Sequence, residues 1–140
     1  MKPPDEARKP LVRQWLDKAE EDFRLAEHLV KEQYPSPAAI AFHSQQAAEK
    51  YLKAFLVWHQ IEFPKTHDME KLLDLVATRD SQLADVLEEA GYLSQYGVDV
   101  RYPGEMSELT GEESTHAFET ASKVRNEILS ALKMKPSNNA

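Results

Sequence analysis

The sequence contains no cysteine. Disulfides, thiolate-bound zinc and thiol catalysis are thereby excluded, and the absence fits a reducing compartment. Glycine is almost as scarce, with four in 140 residues, so long stretches carry no turn signal. Positive charge is short as well. Seventeen Lys and Arg stand against 24 Asp and Glu, a formal net charge of -7. No simple basic footprint for extended DNA is present. No apolar run approaches the roughly 18 residues of a membrane span. The opening MKPPDEARKP has no apolar core of the signal-peptide kind. A soluble, cytoplasmic protein is expected, and its length favours one domain with a sizeable core.

What the sequence does have is apolar residues recurring at intervals of three and four, which predicts an all-α protein. Residues 1–10 hold three prolines and mixed charge, and read as a flexible arm. A first helix is expected over about Leu11 to Gln33, with Trp15, Ala19, Phe23, Ala26 and Val30 as its apolar stripe. Glu20 with Arg24, and Glu27 with Lys31, are i,i+4 pairs placed on its solvated face. Ser36 is a good N-cap and Pro37 a good first residue for a second helix, which should run to Trp58. That helix is apolar nearly all round, as a central helix is.

Thr66 or Asp68 caps a short third helix, about Met69 to Thr78. Asp80 or Ser81 caps a fourth, about Gln82 to Gln95, with Leu83, Val86, Leu87, Ala90 and Leu93 inward. Gly91 weakens it by about 1 kcal/mol relative to alanine. Residues 97–111 form the longest break, of a length functional loops often have. The last helix starts at a capping box, Thr110 to Glu113, and runs to about Leu132. The expected architecture is four long helices and one short one, with the domain over 11–133 and a flexible tail over 134–140.

Four constellations carry chemistry. Asp22 borders the apolar stripe of the first helix, and a half-buried carboxylate needs a partner: Lys50, Lys53 or Arg101. On the second helix, His43, Gln46 and Lys50 share one strip, and Gln46, Glu49 and Lys53 share another. These strips read as a polar seam between helices or subunits, or as a ligand surface. His67 lies at a helix start, between Thr66 and Asp68, where it either belongs to the cap or closes over a site. Arg101-Tyr102-Pro103 lies in the long break. An arginine beside a tyrosine can clamp a phosphate and stack a base, or anchor to Asp22 or Glu49. No metal-ligand spacing, phosphate-loop glycine pattern or nucleophile elbow occurs, so neither metal nor cofactor is expected.

Ala19-x-x-Asp22-x-x-x-Ala26, Gln45-Gln46-Ala47-Ala48-Glu49-Lys50-x-x-Lys53-Ala54, Pro64-x-Thr66-His67-Asp68 and Arg101-Tyr102-Pro103 follow one another in order. With these motifs the chain resembles HEPN-domain proteins of the small stand-alone prokaryotic type, over about Trp15 to Leu132. The resemblance implies an up-and-down helical bundle and a homodimer. It implies frequent association with a minimal nucleotidyltransferase, often as a toxin–antitoxin pair. Many HEPN proteins are metal-independent ribonucleases that use an arginine followed shortly by a histidine. Here Arg101 matches the arginine, but Met106, Ser107 and Glu108 stand where the histidine is due, and His116 lies too far on.

Three functions follow from this reading. The first is a non-catalytic module that binds a nucleotide or RNA end, or docks a nucleotidyltransferase, through Arg101, Tyr102, Lys50, Lys53 and His67. The second is a ribonuclease with a degenerate site, with Arg101 as clamp and His67 or His43 as acid–base group. The third is a structural interaction protein in which every polar group, Asp22, Gln46 and Glu49 included, serves packing.

Overall fold

The computed structural model describes residues 4–33, 36–97 and 109–136. Among them the chain is all-α. The long helices are α1 (Pro4–Lys31), α2 (Pro37–Trp58) and α5 (Gly111–Leu132). Between α2 and α5 lie two short helices, α3 (Met69–Ala77) and α4 (Ser81–Val86), and a 3-10 segment, Glu88–Tyr96. The central element is α2, which packs against α1, α5, α3 and the 3-10 segment.

The limits of α2 are those that its sequence dictates. The Ser36 hydroxyl accepts from the Ala39 amide at 3.3 Å, and Pro37 opens the first turn. At the other end Gln60 turns left-handed, with φ 58°. Its amide donates to the Val57 carbonyl at 3.0 Å, and the Ile61 amide donates to Leu56 at 2.9 Å, which closes the helix in a Schellman turn. Gln33 and Lys133 end α1 and α5 with the same sign of φ. All three long helices therefore stop on a side chain where glycine is the easier residue. Gln60→Gly is expected to stabilise the fold by about 0.5–1 kcal/mol, because relief of left-handed strain exceeds the added entropy of the unfolded chain. A rise in urea midpoint with an unchanged slope would register it.

Helix α1 starts well before its expected beginning, so residues 4–10, read as an arm, are helical. Pro10 lies inside it and cannot donate to the carbonyl one turn back. Arg8 offsets that loss. Its guanidinium lies 4.6 Å from the centre of the Trp58 ring and donates to the Trp58 carbonyl, which pins this stretch to the end of α2.

The expected fourth helix is split. It is α-helical only to Val86, which is exposed rather than inward. Beyond it Leu87, Ala90, Leu93 and Tyr96 are all buried. Their spacing of three is the period of a 3-10 helix, which keeps every third residue on one line. Gly91 lies within this segment against α3, where a Cβ would come 2.9 Å from Cγ of Glu70. The last helix begins as expected: the Glu113 amide donates to Thr110 Oγ1 at 3.0 Å, and the Thr110 amide to Glu113 Oε1 at 2.8 Å.

The core is the shared face of α1, α2 and α5, closed at one end by α3 and the 3-10 segment. Leu16, Ala19, Tyr51, Leu52, Phe55, Met69, Leu72, Leu93 and Ile128 lie in it. Four polar side chains of α2 are buried in the same layer: Ser44, Gln45, Glu49 and Lys53.

Candidate functional site

The polar side chains of α2 form two clusters. In the first, Asp22 of α1 meets two partners from α2. His43 Nδ1 lies 2.9 Å from Asp22 Oδ1, and Lys50 Nζ 2.5 Å from Asp22 Oδ2. Of the two described cations that sequence spacing offered to Asp22, Lys50 pairs with it and Lys53 does not, and His43 adds a second contact. All three side chains are partly buried.

The second cluster is built around Glu49, which is 3 % exposed. Its carboxylate accepts from Lys53 Nζ at 2.8 Å and from Gln45 Nε2 at 2.9 Å. His67 Nδ1 approaches it at 2.8 Å from the connector before α3. Gln46 extends the chain by donating to Gln45 Oε1 at 2.7 Å. Lys53 is sheathed by aromatic rings, with Nζ 5.6 Å from the ring centres of both Trp15 and Phe63. Burial alone would push the Glu49 carboxyl up. Hydrogen bonds from Lys53, Gln45 and His67, with the Lys53 charge, outweigh it and hold the group below its ordinary value.

His67 is placed by its neighbours in the chain. Asp68 caps α3 by accepting from the Glu70 and Lys71 amides at 3.1 and 3.3 Å, while Thr66 accepts from the Asp68 amide at 3.0 Å. Capping is thus done by the residues on either side, and the imidazole between them is free to reach Glu49. Gly97 closes the other side of the cluster. A Cβ there would come 3.0 Å from Cδ of Gln45, so the backbone at Gly97 lies directly on that buried amide. Arg101 and Tyr102 lie outside the described residues. Among those residues no three His, Asp or Glu side chains gather as metal ligands. No helix among them is long and apolar enough to cross a membrane.

The HEPN domain family model matches residues 12–132. The chain belongs to the HEPN family. No curated protein and no solved structure matches it at a significant level.

This HEPN chain contains a third polar node, centred on Glu20. Glu20, expected on the solvated face of α1, is 2 % exposed. It accepts from the Tyr51 hydroxyl of α2, from Arg125 Nε of α5 at 2.6 Å, and pairs with Arg24 at 3.5 Å. The i,i+4 pair with Arg24 is real, but it is the outer layer of a junction between three helices. Burial and the Glu20 contact both push the Tyr51 phenol up. The Arg125 guanidinium is pulled down by burial but raised overall by its bond to Glu20. Gln45 was also missed as a network member. Its place in the Gln45-Gln46 pair was visible, but only its burial against Gly97 and Glu49 marks it out.

The node at Glu20 uses up its hydrogen-bonding groups internally. The two clusters on α2 differ from it in one respect: each holds a histidine by Nδ1 and leaves the rest of that ring toward the surface. His67 is the more open, with 49 % of its side chain exposed. Both Lys50 and Lys53 are matched by carboxylates, so neither is a bare cation.

Proposed function

We propose that this HEPN domain is a non-catalytic module that binds a nucleotide or an RNA end, and that it works as a cytoplasmic homodimer. One observation carries the reading. Gly97 lies on the Gln45 amide, so the chain that leads on to Arg101 and Tyr102 starts from the Glu49 cluster. Arg101 and Tyr102 follow closely in sequence, and covalent reach of about 3.5 Å per residue supports their working with that cluster. The chemistry suits the ligand class. An arginine fork matches phosphate oxygens, a tyrosine ring stacks on a base, and His67 adds a polar contact. Lys50 keeps 22 % of its side chain exposed and sits at the edge, whereas buried Lys53 serves to hold Glu49. The homodimer is what membership of the HEPN family suggests.

Titration with 5′-AMP and with a short single-stranded RNA tests this reading. Micromolar binding is expected, with Arg101→Ala weakening it by about ten- to a hundredfold, the value of a charge-assisted hydrogen bond or two. Binding of neither ligand, or binding unchanged in Arg101→Ala, would reject the assignment. Docking of a minimal nucleotidyltransferase in a toxin–antitoxin pair is the alternative partner, and pull-down with such a protein distinguishes it. A second reading, a metal-independent ribonuclease with Arg101 as clamp and His67 as acid–base group, draws on one observation: the His67 ring is held by Glu49 and half exposed. Intact RNA after incubation with the metal-free protein is expected under the binding reading, and cleavage lost in Arg101→Ala under the other.

A further inference from the structure

The inference here rests on the ligand-binding reading and concerns the same site: which part of the ligand His67 meets. An ionised carboxylate has acceptors only. Glu49 is buried beside two donors, the Gln45 amide and the Lys53 ammonium, that favour its charged form. The nitrogen of His67 that faces Glu49 Oε1 at 2.8 Å, Nδ1, therefore carries a proton. In the neutral ring the lone pair is then on Nε2. No other described residue engages that atom.

The surroundings of His67 define what it is offered to. The ring is one wall of an open groove of about 490 Å³, shared with Asp68, Glu70, Tyr92, Ser94 and Gln95. Among the described residues two carboxylates line this groove, and no lysine or arginine does. A phosphate is repelled there. A group rich in hydroxyl donors is not, because it meets the carboxylate oxygens and the Nε2 lone pair as acceptors. The sugar of a nucleotide is such a group, and its phosphate is not.

We propose that His67 Nε2 accepts a hydrogen bond from a ribose hydroxyl of the bound nucleotide or RNA end, with Glu49 as the positioning residue that fixes the tautomer. The groove then takes the sugar, and the phosphate stays outside it. The proposal differs from a phosphate-clamping histidine in its direction: the imidazole accepts a hydrogen bond from the ligand instead of donating one.

Two measurements on the full chain test it. Nitrogen-15 NMR of the histidine rings, at about pH 8.5 and so above the ordinary histidine range, is expected to show His67 protonated on Nδ1 with a pyridine-type Nε2. The opposite tautomer would overturn the proposal whatever the ligand. Binding of 5′-AMP is then compared with that of its 2′,3′-dideoxy analogue. Wild type is expected to prefer AMP by about tenfold, the worth of one hydrogen bond with its desolvated partner. His67→Phe is expected to bind both nucleotides alike, at the level of the analogue. Preference for AMP that survives in His67→Phe overturns the ribose contact and leaves the binding reading standing. Failure of wild type to prefer AMP over the analogue overturns the ribose contact, and failure to bind both nucleotides and the short RNA overturns both readings.

Discussion

Replacing Arg125 with Met is expected to lower folding stability by about 3–5 kcal/mol, the usual result of stripping one partner from a buried ion pair. The carboxylate left behind is Glu20, 2 % exposed, at the point where α1, α2 and α5 meet. In the wild type it receives Arg125 Nε at 2.6 Å and Nη2 at 3.4 Å, together with the Tyr51 hydroxyl. Tyr51 stays a donor, since burial and Glu20 both hold its phenol protonated. It supplies one hydrogen bond and no charge. Arg24 is more exposed and stands 3.5 Å away, too loosely placed to neutralise the carboxylate alone.

Methionine keeps most of the apolar contact. The Arg125 guanidinium lies 4.8 Å from the centre of the Phe23 ring, which itself stacks on Phe118 at 5.2 Å. A thioether is a fair substitute on such a ring. The loss therefore reports the charge and its hydrogen bonds. Glu20→Gln combined with Arg125→Met removes the stranded charge and should recover a large share, giving a coupling energy of about 2 kcal/mol by double-mutant cycle in urea. Additive losses would show that the three helices are held by apolar packing alone.

The Glu20 node also shows how far a sequence can be read. Its local half was legible: Glu20 and Arg24 stand one turn apart in the favourable order, and they do pair. Its other half comes from Arg125, on a helix at the far end of the chain, and no local pattern connects the two. Caps were legible for the opposite reason, because their geometry is complete within four residues. Ser36, Asp68, Asp80 and Thr110 all accept the amides expected of them.

The two misread elements had signals that point elsewhere. Pro10 argued against helix before residue 11, and only the Arg8 contact with Trp58, across fifty residues, shows why the helix accommodates it. The α-helical period over Gln82 to Gln95 places Val86 inward, although Leu87, Ala90, Leu93 and Tyr96 repeat at three. That strict triplet favours 3-10 winding, and it was on view in the sequence. The site was legible as residue types and strips. Which cation meets which carboxylate was not, because Lys50 and Lys53 lie on adjacent strips of one helix. The approach of α1 to one strip and of the His67 connector to the other decides the matter.

Glu49 gives the second large effect, and its pH dependence separates charge from packing. Glu49→Gln is expected to cost about 3–5 kcal/mol at neutral pH, since the Lys53 ammonium, 6 % exposed between Trp15 and Phe63, loses its counter-charge. The ordinary carboxyl value is 4.5, and in the folded protein the group lies below it. Protons therefore bind the unfolded chain more readily than the folded one. The contribution of Glu49 is complete above pH 4.5 and is lost as pH falls through the lower, folded value. The stability gap between wild type and Glu49→Gln, followed by urea unfolding from neutral pH downward, should hold steady and then narrow in that acid window. Lys53→Met should in turn stabilise the Glu49→Gln protein, because it removes the buried charge and leaves a side chain suited to two aromatic neighbours. A gap that stays constant into acid would mean that hydrogen bonding and packing, and not the Glu49 charge, hold the cluster. Lys53 would then add apolar length rather than charge.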